Sequence, residues 1–266
     1  MDLSKVKLVV TDMDGTLLNS KHEVSSKFFQ LFEELKKRDI KFVAASGRQY
    51  NSIVDKLDTI KEDIIVVAEN GAFVKKQDQE LLATPLNQTA ITNTMELLRN
   101  VKGIHPVLCG KNNAYINGNS DDFVSKLREY YSEFSILNDI TSFEGEVLKI
   151  AIYHFESSEK YIYPLVNHLE SELKVKVSGE NWLDISHMNA NKGYALQHIQ
   201  EKYGISKQET MVFGDYNNDL EMLAMADFSF AMANAHPNVK VVANYQTESN
   251  DNFGVEKILE AMLSNR

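Results

Sequence analysis

Two pairs of carboxylates carry the chemistry open to this chain. Asp12 and Asp14 stand one residue apart in VKLVVTDMDGTLL, where an apolar run ends, with Gly15 and Thr16 directly behind them. Asp215 and Asp219 lie in a second acidic stretch, GDYNND from Gly214, which again follows an apolar run. A calcium loop does not account for the first pair. An EF-hand needs Gly at the sixth loop position, whereas Gly15 is the fourth residue from Asp12 and no suitably placed Glu follows. A turn capped by an Asp side chain explains one aspartate better than two. Like charges this close need a cation or a shared proton, and open parallel sheets bind ligands beyond the carboxyl ends of their strands. If the two strands are sheet neighbours, their acidic ends converge. Three or four carboxylates with oxygen-only partners favour Mg²⁺.

Two weaker features fit an anion beside that cation. Ser46, Gly47 and Arg48 close another apolar run, and a hydroxyl, a small residue and a helix start make an anion-binding corner. An ordinary helix-capping serine explains Ser46 equally well. Lys192 opens a helix after Asn191, against the favourable direction of the helix dipole, a small penalty that a bound anion would offset.

These residues need a scaffold that brings distant strand ends together. Strands are expected over 7–10, 40–45 and 64–68, with helices over 25–38 and 49–57 between them. In the first helix Phe28, Leu31, Phe32 and Leu35 share a face, and Ser25 or Ser26 can cap it. After residue 83 the rhythm changes. Helices are expected over 89–101, over 121–134 with Phe123, Leu127, Tyr130 and Tyr131 inward, and over 159–173. Pro164 makes the start of that last helix doubtful. Strands are expected near 105–109, 114–117, 147–155, 175–177 and 182–185. The first rhythm then returns: a helix over 191–203, strands over 210–213, 228–231 and 241–243, and a last helix over 255–263. The fold class is therefore α/β, a Rossmann-like three-layer core with a mostly parallel sheet, interrupted by an inserted α+β domain. The core takes residues 1–84 and 187–266, and the insertion 85–186.

Composition narrows the partners. The 266 residues carry a net charge of −10 with no basic run, which argues against nucleic acid or an anionic membrane. One cysteine, Cys109, permits no internal disulfide and fits a reducing compartment. No apolar stretch has the length of a signal sequence or a membrane span, so a cytoplasmic location is expected. A monomer or small homo-oligomer is expected.

Taken together, these residues resemble the haloacid dehalogenase superfamily, and within it the Cof-like sugar phosphatases with a type IIB cap. Asp12-Met13-Asp14-Gly15-Thr16 is similar to the family's first motif, Ser46 to the second, Lys192 to the third, and Gly214-Asp215 through Asn218-Asp219 to the fourth. Two stretches depart from the pattern: Ser186-His187-Met188-Asn189 lacks the usual proline and glycine, and Ala233 replaces a glycine in Met232-Ala233-Asn234-Ala235. The resemblance implies a Mg²⁺-dependent phosphatase that hydrolyses a small phosphorylated metabolite, a sugar phosphate above all, through an aspartyl phosphate on Asp12. It implies that Asp14 acts as acid and then base. It places the metal on Asp12, the Asp14 carbonyl and Asp215, and phosphate on Ser46, Gly47, Arg48, Lys192 and Asn218. Thr16 and Asp219 would steady these groups. The inserted domain would act as a lid that reads the leaving group, with Arg48, Glu69, Asn70 and the loop 105–113 as further candidates. A phosphosugar mutase and a non-catalytic sugar-phosphate sensor are the alternatives.

Overall fold

The structure is a computed structural model and describes residues 2–264 apart from positions 119, 129, 130 and 132. Two units are distinguished, Met1–Leu82 with Asn191–Arg266, and Ala83–Ala190.

The first unit begins with β1 (Leu8–Asp12), buried at every position, as a strand covered on both faces of a parallel sheet must be. In α1 (Ser26–Lys37) the Ser25 side chain accepts from Phe28 N at 3.0 Å, and Phe28, Phe32 and Leu35 are buried. The Phe28 and Phe32 rings meet Phe42 of β2 (Lys41–Ala45), with Phe28 and Phe42 centroids 5.1 Å apart. Next come α2 (Tyr50–Lys56), β3 (Ile65–Ala68), β4 (Phe73–Lys76) and β5 (Gln79–Ala83).

The second unit holds α3 (Gln88–Leu98), β6 (Ile104–Cys109), β7 (Ala114–Ile116), α4 (Asp121–Leu127), β8 (Phe134–Ile136), β9 (Lys149–His154), α5 (Ser158–Tyr161), α6 (Tyr163–Val166), β10 (Lys174–Val177) and β11 (Trp182–Ser186). Its sheet runs β10-β11-β9-β6-β7-β8. Alternation along β9 sends Ile150 and Ile152 into one apolar core, with Leu98 and Leu183, and Ala151 and Tyr153 into another, with Phe123 and Leu127.

The chain then returns to the first unit with α7 (Lys192–Tyr203), β12 (Thr210–Gly214), α8 (Leu220–Leu223), β13 (Phe228–Ala231), α9 (Pro237–Val242), β14 (Tyr245–Gln246) and α10 (Gly254–Ser264). The sheet order is β14-β13-β12-β1-β2-β3-β4-β5. The strands from β14 to β3 are parallel, while β4 runs antiparallel to β3. β1 lies between β2 and β12, with Asp12 opposite Ala45 and Thr11 opposite Phe213. That register sets the two acidic strand ends side by side. The α/β class with its mostly parallel sheet is as expected.

Several elements differ from the sequence reading. The division falls at residues 82/83 and 190/191 rather than 84/85 and 186/187; residues 187–190 fold back on the inserted unit, where Lys174 Nζ donates to Ala190 O at 3.3 Å. The helix expected over 121–134 ends at Leu127, and Phe134 opens β8, which pairs in parallel with β7. Tyr131 is buried as expected, while Tyr130 lies outside the described residues. Residues 241–243 are not a strand: His236 caps Asn238 N and Pro237 sits in the first turn, so α9 forms through Val242. β-branched residues there mimic a strand. The helix expected over 159–173 breaks at Ile162, because Pro164 fits only the first turn of a new helix. The strands β4 and β5 carry lysine, glutamine and glutamate and lack a strand's apolar alternation.

Candidate active site

Four chain segments meet at the carboxyl ends of β1, β2, β3 and β12. Asp12 closes β1 and is 5 % exposed. Its Oδ1 is 2.5 Å from Lys192 Nζ, and the same ammonium is 2.7 Å from Asp219 Oδ1. Asp219 Oδ2 accepts the backbone N–H groups of Asp215 at 2.9 Å and Tyr216 at 3.0 Å. Both oxygens of Asp219 are thereby committed, one to the lysine and one to the loop that presents Asp215. Lys192 takes its place because Asn191 caps α7, its side chain accepting from Tyr194 N at 2.8 Å.

Charge follows burial. Burial pushes the Asp12 carboxyl well above the usual carboxylate range; Lys192 opposes this, and Asp219 and Asp215 add to it. Burial likewise works against charge on Lys192, but Asp12 and Asp219 outweigh it and hold the ammonium above its ordinary range. For Asp215, burial first and the Asp219 charge second raise the pKa to about 6.

Asp14 has a different setting. Arg48 grips it with two hydrogen bonds, Nε to Oδ2 at 2.7 Å and Nη2 to Oδ1 at 2.6 Å, and His22 Nδ1 is 3.3 Å from Oδ1. Burial opposes ionisation of Asp14, but the Arg48 hydrogen bonds and charge outweigh it and hold the pKa below the usual range. Arg48 was expected on phosphate; here its guanidinium is turned to Asp14. Ser46 is buried, and its hydroxyl accepts from Arg48 N at 3.1 Å. Thr16 Oγ1 lies 3.4 Å from Asp215 Oδ1, not on Asp14. Asn218 Nδ2 donates to Asn70 Oδ1 at 3.0 Å.

A family model described as haloacid dehalogenase-like hydrolase matches residues 9–259. The chain belongs to that family. It is 30 % identical over 261 residues to the 5-amino-6-(5-phospho-D-ribitylamino)uracil phosphatase YbjI of Escherichia coli K12, covering 97 % of this chain and 96 % of the relative. The solved structure of SMU.1108c from Streptococcus mutans UA159 superposes with TM-score 0.86 at 31 % identity, over 97 % of this chain and 99 % of that one. TM0651 from Thermotoga maritima gives 0.87 at 26 %, over 96 % and 97 %. This haloacid dehalogenase-like hydrolase is a phosphoric monoester hydrolase.

The hydrolase has a donor set suited to a hard cation. Oxygens of Asp12, Asp215 and Asp219 lie within 4.8 Å of one another. Asp219 is already committed, so Asp12 and Asp215 are left, and burial and the Asp219 charge both oppose ionisation of Asp215. Gly15 makes the close approach feasible: it has φ +78°, and a Cβ there would collide with the Asp215 carboxylate. All-oxygen donors of this kind fit a divalent ion such as Mg²⁺.

Two contributors were not legible as such. His22 carried no signal; it reaches Asp14 because a left-handed turn, φ 58°, folds the loop back. The segment after β3 runs through Glu69, Asn70 and Gly71 at φ 50°, 55° and 99°, a conformation costing roughly 1–2 kcal/mol for each non-glycine residue. An Asn-Gly dipeptide such as Asn70-Gly71 marks a turn, but not three left-handed residues in succession. In the second unit His105 stacks on Phe123, rings 4.5 Å apart, and His187 accepts from Asn189 N at 3.1 Å. Both serve local packing or turns. No helix among the described residues is long and apolar enough to cross a membrane.

Proposed function

We propose that this phosphatase hydrolyses a small phosphorylated metabolite, with a sugar or sugar-alcohol phosphate favoured, through an aspartyl phosphate on Asp12. The observation that carries the reading is the buried Asp12–Lys192–Asp219 relay beside Asp215. It gives one carboxylate a fixed direction and surrounds it with groups that suit a phosphoryl ligand. The ribityl phosphate named for the E. coli relative belongs among the first compounds to try.

Lys192 holds Asp12 Oδ1 and so leaves Oδ2 as the attacking atom. Attack on phosphorus splits one displacement into two, the alcohol leaving first and water releasing phosphate second. Lys192 and the Ser46 hydroxyl supply donors for phosphoryl oxygens, where charge spreads in the transition state; losing one such donor costs ~2.7–4 kcal/mol of barrier. A Mg²⁺ ion on Asp12, the Asp14 carbonyl and Asp215 would supply the positive charge that keeps Asp12 ionised against burial. Asp219 holds the Asp215 loop and Lys192 in place rather than meeting substrate.

Asp14 moves the proton. Gripped by Arg48 it is a carboxylate, the form that takes a proton from water in the second half-reaction. To protonate the leaving alcohol in the first half it must be loosened from Arg48, and the substrate's anionic phosphoryl group is the natural competitor for that guanidinium.

Phosphate release from p-nitrophenyl phosphate and from a panel of sugar, polyol and cofactor phosphates, with and without Mg²⁺, tests the reading. Turnover is expected to need the metal and the Asp12 carboxylate. Full activity in excess EDTA, or in Asp12→Asn, would remove the assignment.

A further inference from the structure

The left-handed turn after β3 has a purpose that conformation alone does not supply. Its backbone is locked from two sides: Glu69 N donates to Arg48 O at 2.9 Å and Asn70 N to Ser46 O at 3.0 Å, while Gly71 abuts the Asn191 carbonyl and the start of α7 so closely that a Cβ would collide. The turn thus ties the Ser46–Arg48 loop to the helix that carries Lys192. At position 70 glycine would satisfy φ 55° with least strain, yet the chain uses asparagine. What asparagine adds is its amide. That amide lies against Gly47, where a Cβ would come within 3.0–3.3 Å of its three end atoms, so a side chain at 47 would displace it. Its Oδ1 accepts from Asn218 Nδ2 at 3.0 Å, which turns Nδ2 the other way. Among the described residues Nδ2 makes no hydrogen bond. A donor is therefore held in a strained, doubly anchored turn, beside the proposed anion corner, with no protein acceptor.

We propose that Asn70 is a further substrate-binding residue, its Nδ2 donating to an oxygen of the phosphoryl group held by Ser46 and Lys192. The proposal rests on the phosphatase reading above. Strain of this kind persists where surrounding structure over-determines it, and it gathers at ligand-binding sites. The fixed amide is oriented before the ligand arrives, so little freedom is lost on binding.

The test uses the full chain with Mg²⁺, p-nitrophenyl phosphate as substrate, and inorganic phosphate as competitive inhibitor. Asn70→Gly keeps the left-handed backbone and deletes the amide. It is expected to melt no lower than wild type and to raise the phosphate Ki about tenfold or more, the effect of losing a hydrogen bond to a charged group. Asn70→Asp keeps shape, turn preference and the acceptor for Asn218, but replaces the donor with an oxygen; its Ki is expected to rise further. An unchanged Ki in either folded variant overturns the proposal and leaves the asparagine as a turn residue. A wild-type protein that neither hydrolyses p-nitrophenyl phosphate nor binds phosphate overturns the underlying phosphatase reading instead.

Discussion

Asp12 and Asp14 are separated by one residue and live in opposite surroundings. Asp12 is buried on a lysine that is itself fully enclosed, with its pKa driven up by burial. Asp14 is 41 % exposed in its side chain, held by an arginine and a histidine on neighbouring loops, with its pKa driven down. One carboxylate is fixed by an element 180 residues away. The other is held by side chains that solvent and ligands can reach. The difference teaches that spacing in sequence assigns no role; the partners do. A nucleophile needs one direction, and a proton carrier needs to move.

The widest split should come from removing the carboxylate itself. Asp12→Asn is expected to lower kcat on any phosphoester by more than about 10⁴-fold, as loss of a nucleophile does elsewhere, while circular dichroism stays that of wild type. Residual turnover within tenfold of wild type would reassign the nucleophile.

Next is the lysine. Lys192→Met leaves Asp12 and Asp219 buried without their cation, and breaking a buried pair in this way costs ~3–5 kcal/mol. Urea unfolding of the metal-free protein measures it, and a loss under about 1 kcal/mol would show that the relay is not closed to water.

Smaller still is a pH effect at Asp215. Its folded pKa of about 6 lies above the ordinary carboxylate value of 3.8, so between those values the folded state binds more protons than the unfolded one. Stability therefore falls as pH rises through that window, and the penalty is complete above about 6. Asp215→Asn should abolish that part of the slope, and Mg²⁺ should stabilise wild type increasingly as pH rises through 6. Melting curves in EDTA and in Mg²⁺ at several pH values give both; a wild-type-minus-variant difference that is flat with pH would contradict it.

Least affected should be stability in Arg48→Ala. The pair is well formed but partly wet, so no more than about 1 kcal/mol is expected in the same urea experiment. A loss equal to that of the lysine variant would erase the contrast between the two aspartates.

Much of this site could be seen before the structure because its signals are local. An apolar β-branched run ending in Asp-x-Asp, a second run ending in Gly-Asp, and a capped lysine at a helix start each depend on a few neighbouring residues. Their convergence follows from the parallel order β12-β1-β2. What could not be read depends on how loops fold onto one another. Nothing in Ser-Gly-Arg says that the Arg48 guanidinium turns to Asp14. The left-handed Glu69 was invisible because its backbone is held by a tertiary hydrogen bond, Glu69 N to Arg48 O, while the local Asn19–Glu23 turn that bends at His22 does not announce that the ring reaches Asp14. β8 and α9 were misjudged because a three-residue strand, Phe134–Ile136, is too short to show its alternation and a β-branched helix carries a strand's pattern, and packing outweighs weak local preference.

The interruption of the first unit by the second also has a consequence for how the protein is made. Residues 83–190 are contiguous and supply all six strands of their own sheet. The other unit is not contiguous: β1, at its centre, waits for β12, and Asp12 waits for a lysine 180 positions later. At ~5–20 residues per second the ribosome imposes a delay of roughly ten to forty seconds. Throughout it a central strand that is apolar over Leu8, Val9 and Val10 has one uncovered edge, the condition that invites wrong pairing. The two aspartates at the tip of β1 place charge at the end of that exposed strand, so the residues proposed to do the chemistry in the finished enzyme also act as gatekeepers while it is being born.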